Sequence, residues 1–412
     1  MTATLLANAA LVDGSTDRPI EGVHVLVEGG RIREVSHRPI AGGSATVIDL
    51  AGRTLMPGLI DAHVHVIATT ADLGRNAMLP DSLVTARSLA ILSGMLRRGF
   101  TTVRDLGGCD VGLQQAVEEG AIEGPRLVIC GKALSQTGGH TDFRGRYDDR
   151  DRTYFGRKLG SLGRLCDGVD EVRRAAREEI KAGAQFIKIM ANGGVASPTD
   201  PIAFLGFSRD EIAAAVEEAR MAQTYVAAHL YTDEAIRRAI DLGVHSVEHC
   251  NLVQPETARR MRELGAIAVP TLVTYEALKD EGASLGLPAE SVAKIDDVRL
   301  AGLRSLEILR EAGAVMAYGS DLLGPMHRHQ SEEFVIRGRV LPAHEVIRSA
   351  TLDAALLLRM EGEIGCVREG ARADLIVVDG DPLKDLALLT RQGRHMPLIM
   401  RDGRPIKNEM QA

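Results

Sequence analysis

The spacing of apolar and polar positions changes rhythm twice along the chain. Over residues 1–56 short apolar runs (Thr4-Leu-Leu, Val23-His-Val-Leu-Val, Ile32-Arg-Glu-Val, Val47-Ile-Asp-Leu) alternate with Gly, Asn and Asp. That is the pattern of short strands joined by tight turns. It returns near the C-terminus in Ala373-Asp-Leu-Ile-Val-Val-Asp-Gly-Asp-Pro and Pro397-Leu-Ile-Met-Arg-Asp-Gly-Arg-Pro. Neither end buries its apolar faces alone, so the two are expected to combine into one small β-sandwich domain, residues 1–56 plus 363–412. Between them short apolar strands recur, each followed by a helical period. Strands are expected at 59–66, 101–106, 126–131, 185–191, 225–231, 246–251, 266–272 and 315–321. Helices are expected at Ser82–Arg98, Val169–Ala182, Arg209–Gln223, Asp233–Leu242, Pro255–Leu264 and Ser291–Ala312. Eight such units predict an α/β fold, a (β/α)8 TIM barrel over 57–362. A doubly wound sheet uses the same elements, but no Gly-x-Gly-x-x-Gly follows a strand.

A barrel of this kind carries its chemistry at the C-terminal ends of the strands. The first expected strand follows the Pro57-Gly58 turn and ends in His63 and His65. Side chains two apart on a strand share a side, so two imidazoles converge. That suits a metal ion, although two satisfied core histidines read the same way. Lys188 sits inside the otherwise apolar Gln185-Phe-Ile-Lys-Ile-Met-Ala. Lysine is almost never buried without a partner, unless its stem lets the amine reach water. His229, with Tyr231 on the same side, ends the fifth strand; His249 ends the sixth and Asp321 the eighth. Singly, each is an ordinary hydrogen-bonding residue at a strand end. Jointly, on strands one, four, five, six and eight, they point to a metal centre.

Length and composition narrow the classes. The 412 residues suffice for one large domain and a small one. A net charge of −7 with no basic run argues against nucleic acid or an anionic membrane as partner. Trp is absent and aromatics are few, which removes platforms for base stacking. No apolar stretch reaches the length of a membrane span. The opening Met-Thr-Ala-Thr-Leu-Leu lacks a basic region and reads as a first strand, not a signal peptide. Five scattered cysteines with no Cys-x-x-Cys argue for reduced thiols and a cytoplasmic setting.

With Met56-Pro-Gly-Leu-Ile-Asp-Ala-His-Val-His65 at its opening, this set resembles the amidohydrolase superfamily in its two-metal subtype. The resemblance implies that His63, His65 and Asp321 hold one divalent metal and His229 and His249 the other. It implies that Lys188 is carboxylated by carbon dioxide and bridges both. Zinc suits such N/O donors, with Mn, Co or Fe as alternatives. Burial favours the neutral amine that carbon dioxide attacks, which agrees. The mechanism implied is a metal-bridging hydroxide that attacks an amide, with Asp321 carrying the proton to the leaving amine.

The segments Ser135-Gln-Thr-Gly-Gly-His140, Ile189-Met-Ala-Asn-Gly-Gly-Val-Ala-Ser-Pro198 and Pro270-Thr-Leu-Val-Thr-Tyr275 are similar to one branch of that superfamily. It holds Xaa-Pro dipeptidases, relatives that release C-terminal Lys or Arg, and amidases of ochratoxin-like N-acyl amino acids. Its members cleave the amide before a free C-terminal carboxylate. The resemblance implies His140 and Tyr231 as binders of that carboxylate. His140 lies in a long loop running from Gly131 to about Asp167, a length that is usually functional in a barrel. In the segment after strand four, Asp200 within Ser197-Pro-Thr-Asp-Pro201 is the acid that stands out, whereas Phe204, Leu205, Phe207 and Val273 are apolar. That favours proline or another apolar leaving residue, with Val273 in its pocket. Cys250 stands where many relatives have Gly after His249, and alternation points it away from the metals. His327 and His329 are expected at the surface.

Three rival readings remain. A single-metal, imidazolonepropionase-like hydrolase has no use for Lys188 as a bridge. A non-catalytic assembly protein on this scaffold would have lost metal ligands. A phosphotriesterase or lactonase would account for ester turnover as a side reaction. The resemblance also implies a symmetric homo-oligomer as large as an octamer, with no interface legible in the sequence.

Overall fold

The computed structural model describes residues 3–197 and 199–410. Met1 and Thr2 of the opening segment, Pro198 of two of the motifs above, and the last two residues lie outside the described residues. Both chain ends enter one eight-stranded sheet. Its seam is the fully buried strand Thr54–Pro57, which pairs parallel with Thr4–Leu11 and antiparallel with Leu375–Val378. Leu6, Val25, Leu55, Leu375 and Leu398 pack into a core of their own on this sheet. From the seam the chain runs through Gly58 straight into Leu59–Val64. A Cβ on Gly58 would lie 2.1 Å from Thr101 Oγ1, so only glycine lets the two strands approach there.

Leu59–Val64, Phe100–Asp105 and Arg126–Ile129 form one parallel sheet. Ile187–Met190, Val226–Thr232, Ser246–Leu252 and Ile267–Val269 run parallel in another. Backbone bonds link the two. Gln185 N–H donates to Ile129 O at 2.8 Å, and Ala317 N–H to Ala268 O at 2.8 Å. Ala62 N–H donates to Tyr318 O at 2.7 Å and Asp321 N–H to His63 O at 2.8 Å. The parallel strands thus follow one another around a ring. The expected strand 315–321 is reduced to a bridge at Met316, yet its backbone binds both neighbours. Inside the ring Ile60, Ala62, Val128, Phe186, Ala227 and Ile267 form an apolar layer.

The helices match expectation where the period is long. Ser208 and Glu211 form a reciprocal cap on Arg209–Met221, and Thr232 caps Asp233–Asp241 directly after the fifth strand. Such caps are worth about 1 kcal/mol each. The expected helix Ser291–Ala312 is two, Ala289–Arg299 and Gly302–Ala312. Asn251 Nδ2 donates to Val298 O at 3.1 Å at the break, a helix-end carbonyl that also accepts from Ala301 N–H at 3.3 Å. Short helices at Val111–Glu118 and Leu352–Leu357 were not legible in the periodicity. The loop expected from Gly131 carries two strands, Ala133–Ser135 and Gly163–Leu165, which pair with each other; the first also bridges to Ile189. No helix among the described residues is long and apolar enough to cross a membrane.

Candidate active site

At the first strand's end His63 Nδ1–H donates to Glu248 Oε2 at 2.8 Å. That bond turns the other ring nitrogen, Nε2, inward, 3.4 Å from Asp321 Oδ1. His65 Nδ1 lies 3.3 Å from Gly107 O, and its Nε2 is 3.2 Å from the same Asp321 oxygen. Gly107 is itself fixed by buried Asp105, which accepts from the backbone N–H groups of Val66, Gly107 and Cys109. His249 Nδ1 meets Thr271 Oγ1 at 2.8 Å, and its Nε2 is 2.8 Å from His229 Nδ1. Ligand atoms of His63, His249 and Asp321 all fall within 4.8 Å of one another.

Lys188 belongs to the same cluster. It is fully buried, and its Nζ has no hydrogen-bond partner among the described residues. Burial pushes its amine down to about 8, against the upward pull of Glu248. Burial alone would raise the Asp321 carboxyl, but the charge and hydrogen bonds of His63, joined by His65, hold it well below the usual carboxylate range. Burial, reinforced by neighbouring His140, keeps His229 neutral far below its ordinary value. Burial disfavours a charged His63, but Asp321 and Glu248 raise its imidazole above the ordinary value. Imidazole nitrogens, an ionised carboxylate and an unpartnered buried amine are a donor set that fits divalent cations, which displace any proton His63 carries.

Behind the cluster stands an ion pair that sequence reasoning missed. Glu248 accepts from Arg104 Nη2 at 2.9 Å and from Ser246 Oγ at 2.5 Å, and both charged residues are fully buried. Burial would raise the Glu248 carboxyl, but Arg104 and the His63 bond hold it well below its usual range. A charged residue next to a strand-end histidine was the available signal. Alternation hid it, because His249 and Cys250 have φ of 71° and 59°, and the strand bulges there. Cys250 packs in the core, as alternation suggested.

His140 and Tyr231 join the cluster around one cavity that also touches His63, His65, Lys188, His229, His249 and Asp321. The His140 ring stacks on His229 with centroids 4.2 Å apart. A Cβ at Gly194 would lie 1.8 Å from its Cε1, so glycine there lets the ring in. His140 Nδ1 is 2.8 Å from Ser197 Oγ and 3.6 Å from an oxygen of buried Asp200. Val273 does not line the cavity. It opens the five-residue helix Val273–Ala277 and faces the core, while Thr274 and Tyr275 face inward. Phe204, Leu205 and Phe207 do not line it either; Leu73, Phe143, Leu162, Met190 and Leu278 form its apolar wall. Against expectation His327 is buried, its Nε2–H donating to Ala68 O at 3.2 Å. His329 is half-buried between Glu281 and Glu332.

The model of a family described as the amidohydrolase family matches residues 54–403. An ochratoxinase from Aspergillus niger is 34% identical over 352 residues, covering 81% of this chain and 71% of the fungal protein. A solved structure of a prolidase complexed with N-methylphosphonate-L-proline superposes with a TM-score of 0.97 at 51% identity, covering 99% of this chain and 100% of the other. A crystal structure described as an amidohydrolase superposes with a TM-score of 0.98 at 53% identity over 100% of both chains.

Proposed function

The chain belongs to the amidohydrolase family, and from that premise we propose that it hydrolyses the amide bond preceding a C-terminal free amino acid, with Xaa-Pro dipeptides first. The reading has a (β/α)8 barrel over 57–362 carrying the site and a β-sandwich of 1–56 plus 363–412 beside it. His63, His65 and Asp321 would hold one divalent cation and His229 and His249 a second, with zinc the best match to these donors. Lys188 joins them once its neutral amine has bonded to carbon dioxide and released one proton to water, leaving an anionic carbamate. The observation that carries this reading is the Lys188 amine, buried and unpartnered among five imidazoles and a carboxylate.

What two divalent cations supply, when bound, is polarisation of the scissile carbonyl and a water that deprotonates near neutral pH. The remaining roles fall to the chain's own groups. Asp321, held ionised, takes the proton of the attacking water and passes it to the leaving amine nitrogen. Tyr231 and His140 donate to the substrate carboxylate and so fix the amide's register. The apolar wall, with Asp321 as the one carboxylate in the lining, suits a proline ring better than a cationic side chain. The 51%-identical prolidase, solved with a ligand that ends in proline, supports this choice.

A second reading, an amidase of N-acyl amino acids of the ochratoxin type, draws support from the 34%-identical ochratoxinase. The test is a turnover screen of Xaa-Pro, Xaa-Arg and N-acyl-Phe substrates with zinc and bicarbonate supplied. Preference for Xaa-Pro is expected; a flat profile would end the assignment. Two metal equivalents per chain are expected. One would favour the imidazolonepropionase-like reading, and none the assembly protein. A cytoplasmic homo-oligomer belongs to the same proposal, and the five cysteines, all buried and unpaired, are consistent with a reducing compartment.

A further inference from the structure

The cavity contains a hydroxyl pair of which only one member has been given a role. Tyr231 Oη and Tyr275 Oη lie 2.9 Å apart, and both residues are buried. A hydroxyl carries one proton and accepts at two positions, so such a pair shares one proton and keeps the other free. Two arrangements exist. If Tyr231 donates to Tyr275, it turns lone pairs toward the cavity and repels an anion. If Tyr275 donates to Tyr231, the proton of Tyr231 is left for a ligand. No other group among the described residues accepts it. A carboxylate brings only acceptors and selects the second arrangement.

Tyr275 is held for that task. It lies on Val273–Ala277, and the N–H groups of Leu272 and Val273 donate to Glu333 Oε2 at 3.0 and 2.6 Å. Glu333 is in turn paired with Arg337 at 2.8 Å, both fully buried. Thr271, which bonds His249, also neighbours the Tyr275 hydroxyl. The helix and the ring's oxygen are thereby pinned relative to the metal-ligand cluster.

We propose that Tyr275 is a positioning residue for substrate specificity: it donates to Tyr231 Oη and aims the Tyr231 proton at the substrate's carboxylate. The donated bond also polarises Tyr231 and strengthens the bond it gives. The inference rests on the free-carboxylate reading above.

The test uses the metal-loaded enzyme and the ratio of kcat/KM for the best free-acid dipeptide to that for its C-terminal amide. Tyr231→Phe is expected to lower this ratio about 10- to 100-fold, the loss of a hydrogen bond to a charged group. Tyr275→Phe alone is expected to lower it about 2- to 10-fold, through KM more than kcat. In the Tyr231→Phe background Tyr275→Phe is expected to leave the ratio where the first change put it. Tyr275→Met, also lacking the hydroxyl, serves if the Phe variant fails to fold, as judged by its Tm. An unmoved ratio in both Tyr275 variants, or the same change in both backgrounds, overturns the positioning role. A Tyr231→Phe ratio equal to wild type overturns the carboxylate reading itself, so the two failures are told apart.

Discussion

Glu248→Gln is the most searching test of how the candidate metal-ligand residues are held. Three donors converge on this carboxylate: His63 Nδ1–H, Arg104 Nη2–H and Ser246 Oγ–H. Glutamine keeps the shape but has one acceptor oxygen and one NH2. Being neutral, it strips a fully buried guanidinium of its counter-charge in either orientation, which costs about 3–5 kcal/mol. If the NH2 faces Arg104, donor also meets donor there. If it faces His63, donor meets donor, and the ring escapes by moving its proton to Nε2. Nε2 points at Asp321, and a protonated nitrogen there cannot bind a metal. A supporting group of this kind is worth about 10- to 100-fold in metal affinity. Urea unfolding of the metal-free protein reads the first cost, and zinc titration against a competing chelator reads the second. Adding Arg104→Met to Glu248→Gln should recover part of the stability by removing the stranded charge, while the affinity defect stays. Stability within about 1 kcal/mol of wild type, together with affinity within about threefold, would refute the reasoning, since each lies well below the expected loss.

Three further outcomes are expected. Lys188→Met removes a buried amine without a partner, so the metal-free chain should gain about 1–3 kcal/mol in urea unfolding while turnover and metal content fall; a less stable chain would count against the orphaned amine. Asp321→Asn should keep its circular dichroism and lose about 10²- to 10⁴-fold in kcat, and near-wild-type turnover would remove Asp321 from proton transfer. Burial, opposed by its bond to Ala68, pushes His327 down to about 3 from an ordinary 6.5. The unfolded chain therefore takes up this proton first as pH falls, and stability present above about pH 6.5 is lost toward pH 3. His327→Gln should reduce the slope of stability against pH by up to about 1.4 kcal/mol per pH unit between roughly pH 6 and 4; parallel curves for the two proteins would show that His327 does not titrate there.

Much of the scaffold could be read from periodicity, because helices of ten or more residues and parallel strands leave long apolar signals. Pro255–Leu264 matches its expected bounds to the residue. What escaped was set by contacts between distant parts of the chain. The helix expected at Ser291–Ala312 is interrupted between Arg299 and Gly302, where Asn251, 47 residues away in sequence, bonds the Val298 carbonyl. Val273 was assigned to the pocket by its chemistry, but a five-residue helix shows too little period to reveal which side faces in. Phe204, though apolar, is 57% exposed, because in a loop hydrophobicity does not encode direction. The metal-ligand candidates were proposed from their places on the expected strands, and the structure brings all six around one cavity.

The backbone departures at the site explain why one strand can serve it twice. Strict alternation would set Glu248 and His249 on opposite faces of their strand. Instead His249, Cys250 and Asp321 all have positive φ, at 71°, 59° and 52°. Conformations of this kind cost of order 1–3 kcal/mol each and persist only where the surroundings over-determine them. Here they do. Asp321 N–H is bonded to His63 O, and the preceding Ser320 N–H and hydroxyl both go to buried Asp61. His249 is fixed by Thr271, and the Cys250 thiol is buried against Val247 O at 3.2 Å. The twist lets Glu248 orient His63 while its neighbour His249 faces His229. Glycine, which enters this region without steric cost, would relax Cys250 but leave a gap in the core. A cysteine there keeps the bend by packing, so the geometry of the candidate ligand cluster rests on side-chain burial where a more permissive residue would have supplied it from the backbone alone.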